Sequence, residues 1–308
     1  MFRNSSQFLI ISYSLSAVFI LFAFFFPELN HSLAPWIVVA SVFLIGIPHG
    51  AIDHLVSSEL FGTGQSFKGH IIFYSSYLII MLVLGLIWIF VPIAGMIVFL
   101  AISIYHFGQA DMEDYLTTEK KSPFWYIIRG LFLIGLIIFP SPDVTFPILS
   151  AAMSVPLEQF DSVMPSNTLA LLIILIIYSS FLIKSAIQNE FKSLRIFIVE
   201  SIILIVLFII SGPLVGFALY FAVWHSSGHI IELQQFFQSK GRSLSIYTFY
   251  KMASPFTFIS ILGLFILLYI QNIFQVEEQF LTLMFILISV LTLPHMLIVD
   301  RMYEEKRA

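Results

Sequence analysis

Residues 194–236 read LRIFIVESIILIVLFIISGPLVGFALYFAVWHSSGHIIELQQF. This apolar run is about twice the roughly 20 residues that cross a bilayer. Only Glu200 is charged between Arg195 and Glu232, and the one interruption is Ser211-Gly212-Pro213. Pro213 cannot continue a preceding helix undisturbed, so the stretch reads as two spans, 194–212 and 213–236, joined by a very short turn. Hydrocarbon offers no partner to a free backbone amide, so spans of this kind are helices. The second ends in two histidines, His225 and His229.

The same reading extends along the chain. Further apolar runs cover 8–26, 34–56, 70–90, 92–110, 123–139, 168–187, 255–273 and 279–299. Together they predict an all-α, polytopic membrane helix bundle of about ten transmembrane helices, forming one integral-membrane domain over 1–308. Pro92 breaks a pair of spans as Pro213 does. The stretch 140–167 holds Pro140, Pro142, Pro147, Pro156 and Pro165 and reads as a loop with room for a short interfacial helix. The run 8–26 is too long for a signal-peptide core and lacks a small-residue cleavage site, so it is expected to be the first span.

Composition agrees. Hydrophobic residues are 59% of the chain, charged residues 10%, and mean hydropathy is +0.99. Soluble domains carry about a quarter charged residues. There is no cysteine, which excludes disulfides, zinc–thiolate sites and Cys-ligated iron–sulfur clusters. The net charge of −4 says little in a chain with so few charges; the expected surroundings are the lipid bilayer, with no nucleic-acid partner.

Loop charges orient the spans. Arg3, Lys68, Lys120, Lys121, Lys184, Lys192, Arg195, Lys240, Arg242, Lys251, Arg301, Lys306 and Arg307 fall in alternate connections. The other connections, around Glu28, Val91, Asp143, Pro213 and Glu277, hold no Lys or Arg. Basic residues in short loops mark the cytoplasmic side. This predicts a multi-pass protein of the cell (inner) membrane with both termini in the cytoplasm. Arg129 alone lies well inside a span, towards its cytoplasmic end.

In that orientation, spans two, four, eight and ten run inward and carry His49, His106, His225, His229 and His295 at one level. At about 1.5 Å per residue the level is roughly 18–24 Å below the outer boundary. Ionisable groups at membrane depth point to a functional site, and imidazole is a common ligand for iron, copper and zinc. His225 and His229, spaced i, i+4, share a helix face, with the small Ser226, Ser227 and Gly228 between them. His49 and His54 point apart, so His49 is the expected ligand and His54 an outer or interfacial residue. His295 is an additional candidate, as ligand or as outer residue. An acid follows each histidine by about one turn: Asp53, Asp111, Glu232 and Asp300. Such acids suit the carboxylates that orient metal-bound imidazoles, or simply collect where spans meet water.

The motifs GIPHGAIDH (46–54), YHFGQAD (105–111), WHSSGHI (224–230) and LPHMLIVD (293–300) resemble the Brp/Blh family of β-carotene 15,15′-dioxygenases, bacterial membrane enzymes that make retinal. The resemblance runs in order from about residue 46 to 300. It implies a non-haem Fe(2+) centre held by His49, His106, His225 and His229, with β-carotene and O2 as substrates. It also reaches His295, whose role it leaves open. Tyr105, Phe107, Phe221 and Trp224, beside those histidines, are candidates to line a polyene channel, although core packing accounts for most of the 34 phenylalanines. Retinal formation suggests a link to a retinal-binding rhodopsin. Competing readings are an intramembrane-histidine metal or proton transporter, another membrane iron oxygenase such as a carotenoid hydroxylase or lipid desaturase, and a bis-histidine haem protein. The iron oxygenases of that kind use about eight or more histidines in paired boxes. This chain has eight in total, two of them (His31 and His70) at membrane boundaries.

Overall fold

The computed structural model describes residues 5–62, 66–117, 123–164, 166–274 and 280–307. Arg3, Lys120, Lys121, Pro165 and the connection at Glu277 lie outside these. Of the described residues 88% are helical, and no strand occurs among them. Its helices are α1 (Ser6–Phe25), α2 (Pro27–Ser41), α3 (Ile47–Gly50), α4 (Asp53–Leu60), α5 (Phe67–Phe90), α6 (Pro92–Met112) and α7 (Pro123–Ile138), then α8 (Pro142–Ala152), α9 (Leu157–Val163), α10 (Asn167–Ile187), α11 (Leu194–Leu219), α12 (Ser227–Ser239), α13 (Ile246–Phe274) and α14 (Phe280–Arg307). Among the described residues two π-helical segments interrupt the series, Val42–Gly46 after α2 and Tyr220–Ser226 after α11.

Eight described helices are long and apolar enough to cross a membrane, or nine if α7 and α8, bent by 104°, form one broken span. The difference from ten lies in the 46-residue run Leu194–Ser239. At about 1.5 Å per residue that run is roughly 70 Å long, over twice a bilayer core of about 30 Å. It breaks at Gly212, whose φ of 77° and ψ of 172° are not helical. A residue with a side chain rarely adopts such a φ, and glycine does so freely. The break thus divides the run where Pro213 predicts. The stretch 140–167 is more ordered than a loop, because Pro142 sits where a helix tolerates proline, in its first turn, and starts α8.

Many large apolar side chains face outward, among them Phe67 (82% exposed), Ile187 (76%) and Trp36 (71%). Arg129, Asp111, Glu113, Glu200 and five histidines are buried. A soluble protein avoids apolar surface on this scale, whereas lipid accepts it.

Backbone contacts group the residues into two compact units. The first comprises 1–42, 103–147 and 157–229. Here α11 packs on α1, α2 and α7. Beside the helix break at Gly212, Asn30 Nδ2 donates to the Ser211 carbonyl at 3.0 Å. Helices α6 and α7 cross at two glycines, Gly108 and Gly130, with no room for a Cβ on either. Near that crossing the Arg129 guanidinium donates to Asp111 Oδ2 at 3.0 Å, the Tyr178 hydroxyl at 2.7 Å and Ser201 Oγ at 3.0 Å. Removing one partner of a buried ion pair strands the other charge, at a cost of about 3–5 kcal/mol. Arg129→Met is therefore expected to lower the detergent melting temperature sharply, and adding Asp111→Asn to restore part of it. Additive losses in that double-variant cycle would show the two side chains to be uncoupled.

The second unit comprises 43–102, 148–156 and 230–308. Its core joins Ile52 and Val56 of α4, Leu233 and Phe237 of α12, Phe249 and Ala253 of α13, and Val299, Met302 and Tyr303 of α14. Phe285 of α14 meets the ring edges of Trp88 and Phe99. Polar ends are tied by ion pairs of Lys240 with Glu305 and Arg242 with Glu59.

Candidate metal centre

Five of the eight histidines are 2–6% exposed: His49, His106, His225, His229 and His295. They are the five that the depth argument selects. In the first unit, His106 comes from α6 and His225 from the last turn of the second π segment, and His229 follows in α12. The His106 and His225 rings stand edge to face, with centroids 4.9 Å apart at 80°. Phe221 stacks on His225 at 5.7 Å and 12°, and Phe107 meets it edge-on at 4.8 Å. Two of the four aromatic candidates, Phe107 and Phe221, therefore touch a histidine directly. Trp224 is fully buried, and Tyr105 packs edge-on against Tyr126. A π turn inserts an extra residue into a helix and is frequent at functional sites. Here Ser227 Oγ donates to the Ala222 carbonyl at 2.7 Å across the widened turn.

Asp111 has partners outside its own helix. It accepts from Arg129 and, at 3.2 Å, from the hydroxyl of Tyr220. Tyr220 opens the π segment that ends beside His225, so Asp111 ties that segment to α6 one turn past His106.

In the second unit, His49 sits in the single turn of α3, and its Nδ1 donates to the Gly46 carbonyl at the end of the first π segment. Asp53, one of the four candidate outer carboxylates, does not continue the helix that carries His49. The helix stops at Gly50, residues 51–52 form a turn, and Asp53 starts α4. That turn sends the Asp53 carboxylate to His295, whose Nδ1 lies 3.0 Å from both oxygens. Tyr77 donates to Asp53 Oδ2 at 3.0 Å. The His295 and His49 rings stand edge to face with centroids 4.8 Å apart at 85°. His54 stacks on Tyr74 and packs against Phe256. Glu232 accepts from Tyr303 at 2.6 Å. Asp300 is half-buried in α14.

Among the described residues no group of three or more His, Asp or Glu side chains is already arranged as a metal cluster. The histidines do form two pairs suited to one. With a metal–nitrogen bond of about 2 Å and a ring centroid about 1.1 Å further back, two imidazoles at 90–109° on one ion have centroids roughly 4.5–5.1 Å apart. Separations of 4.9 and 4.8 Å fall inside that interval. His49 and His295 also give Nδ1 to an oxygen, the usual outer bond of a metal-bound histidine. The donor set therefore fits a metal that prefers neutral nitrogen ligands.

Sequence reasoning did not find the Tyr77, Tyr220 and Arg129 contacts or the π segments. Arg129 carried a signal, being charged inside a span. The tyrosines carried none.

A family model described as "Beta-carotene 15,15'-dioxygenase" matches residues 40–303. The chain is 26% identical over 275 residues to the "Beta-carotene 15,15'-dioxygenase" of an uncultured marine bacterium, 66A03, covering 87% of this chain and 94% of that one. It is 26% identical over 291 residues to the "Probable beta-carotene 15,15'-dioxygenase Blh" of Halobacterium salinarum, covering 86% and 83%. No solved structure matches.

Proposed function

The chain belongs to the beta-carotene 15,15'-dioxygenase family, a family of oxidoreductases, and from that premise we propose that it cleaves the central double bond of β-carotene with O2. One C=C bond and the O=O bond break, and two C=O bonds form. Each half of the carotene leaves as one all-trans-retinal, so both oxygen atoms are accounted for. We further propose that His49, His106, His225 and His229 hold Fe(2+). The observation that carries this reading is the burial of His49, His106, His225 and His229 in an apolar bundle, with the His106 and His225 rings at a spacing that suits a metal.

Ferrous iron, when bound, supplies the electrons that let O2 react with a closed-shell alkene. The chain's own residues do the rest. Neutral imidazoles leave coordination positions for O2 without adding charge to an apolar site. Phe107 and Phe221 hold the His225 ring from its edge and its face, which fixes its nitrogen and excludes water. Trp224 and Tyr105 extend the apolar aromatic surroundings that a polyene requires. The substrate dissolves in lipid, so an all-helical membrane protein can receive it laterally. The loop charges support placement in the cell membrane with both termini in the cytoplasm. A retinal-binding rhodopsin in the same membrane suits the product as acceptor.

Expression in bacteria that accumulate β-carotene tests the reading. Cells should lose their orange colour and gain retinal, and a reporter fused to the C-terminus should be active in the cytoplasm. Unchanged carotene, with the protein present in the membrane, would remove the assignment.

A further inference from the structure

We propose that His295 is a further metal-binding residue, its imidazole aimed by the Asp53 carboxylate. The inference deepens the metal-centre reading above and rests on it. It uses residues of the second unit only. Three contacts define where the His295 ring lies. Asp53 takes its Nδ1 at 3.0 Å on both oxygens. Its face or edge meets His49 at 4.8 Å and 85°. The third contact is steric: a Cβ on Gly50 would lie 3.2 Å from His295 Nδ1, so the glycine that ends α3 makes room for the ring.

The chemistry follows from these positions. An ionised carboxylate only accepts hydrogen bonds, and Asp53 already receives one from Tyr77. Nδ1 of His295 therefore carries the proton, and in the neutral imidazole Nε2, on the opposite side of the ring, carries the lone pair. A carboxylate holding one imidazole nitrogen, with the other nitrogen on a metal, is the recurrent outer arrangement of histidine ligands. His295 stands to His49 as His225 stands to His106: edge to face, with nearly equal centroid separations. A histidine kept only for packing needs neither the bidentate carboxylate nor the hydroxyl behind it. Burying both costs free energy unless the pair has a task or excellent compensation.

Full-length protein, purified and loaded with Fe(2+), tests the proposal by iron affinity against a competing chelator and by the electron paramagnetic resonance spectrum of its nitric oxide adduct. His295→Ala is expected to weaken iron binding more than 100-fold and to alter the spectrum, and added imidazole to restore part of both. Asp53→Asn is expected to weaken iron binding by roughly 10–100-fold, the range for loss of an outer partner. His295→Gln keeps the bulk and serves if the alanine variant does not fold. Wild-type affinity and an unchanged spectrum in His295→Gln, with His49→Ala losing iron, would overturn the proposal and leave the metal centre standing. Wild-type protein that binds no iron would overturn both.

Discussion

Replacing His106 or His225 by alanine is expected to abolish retinal formation and to remove most of the iron, while His54→Ala retains both. The contrast follows from where the rings lie. His106 and His225 face each other at ligand spacing, and His225 is held between Phe107 and Phe221. Losing a ligand should cost more than the roughly 10–100-fold that losing an outer carboxylate costs. Phe221→Leu is a finer probe. It keeps the imidazole but removes the stacked face, so iron should stay while turnover falls. His54 differs from the others in environment, not in chemistry. It is half-buried against Tyr74 and Phe256. Iron content by metal analysis and retinal by chromatography read all four variants in one series. Full iron and activity in His106→Ala or His225→Ala would take that residue out of the centre.

The parts of this molecule that were legible in the sequence are those governed by the solvent. A bilayer demands long apolar runs, and Pro92, Gly212 and Pro213 mark where those runs turn. The burial of five histidines was legible for the same reason, because an imidazole inside an apolar run is rare enough to stand out. What was hidden depends on contacts distant in sequence. Asp53 and His295 are 242 residues apart, and nothing next to Asp53 announces that partner. Spacing along one helix suggested His49 instead, and that inference assumed an unbroken helix where the chain in fact turns at residues 51–52. Asp111 shows the same limit. Its neighbour along the chain is His106, yet it also accepts from Arg129 and Tyr220, 18 and 109 residues away. The π segments had no compositional mark either. A shift from i→i+4 to i→i+5 bonding is decided by how the surrounding helices pack, and both shifts lie within a few residues of a family histidine.

Gly108→Ala is expected to prevent the chain from reaching a folded, monodisperse state in detergent, and Gly130→Ala to do the same. A Cβ on Gly108 would lie 1.7 Å from the Tyr126 carbonyl oxygen, and one on Gly130 1.7 Å from the Ile104 carbonyl oxygen. Both obstacles are backbone, so no rotamer change relieves them. Helices α6 and α7 would have to separate by well over an ångström. Small residues at such crossings let backbones approach, and packing is a main force joining helices in lipid. The separation would also strain the neighbouring Arg129–Asp111 pair, whose charges need each other. The summed cost should exceed the roughly 4–5 kcal/mol that marks an exceptional single substitution. Gly85 and Gly263 are the controls, since a Cβ there meets nothing within 4 Å. Alanine at those two helical positions should be neutral or slightly stabilising, because it favours the helix by about 1 kcal/mol over glycine. Size-exclusion profiles of the four variants, made side by side, separate the crossing from a general intolerance of alanine. A normal profile for Gly108→Ala would mean that the α6–α7 crossing is looser than 1.7 Å implies.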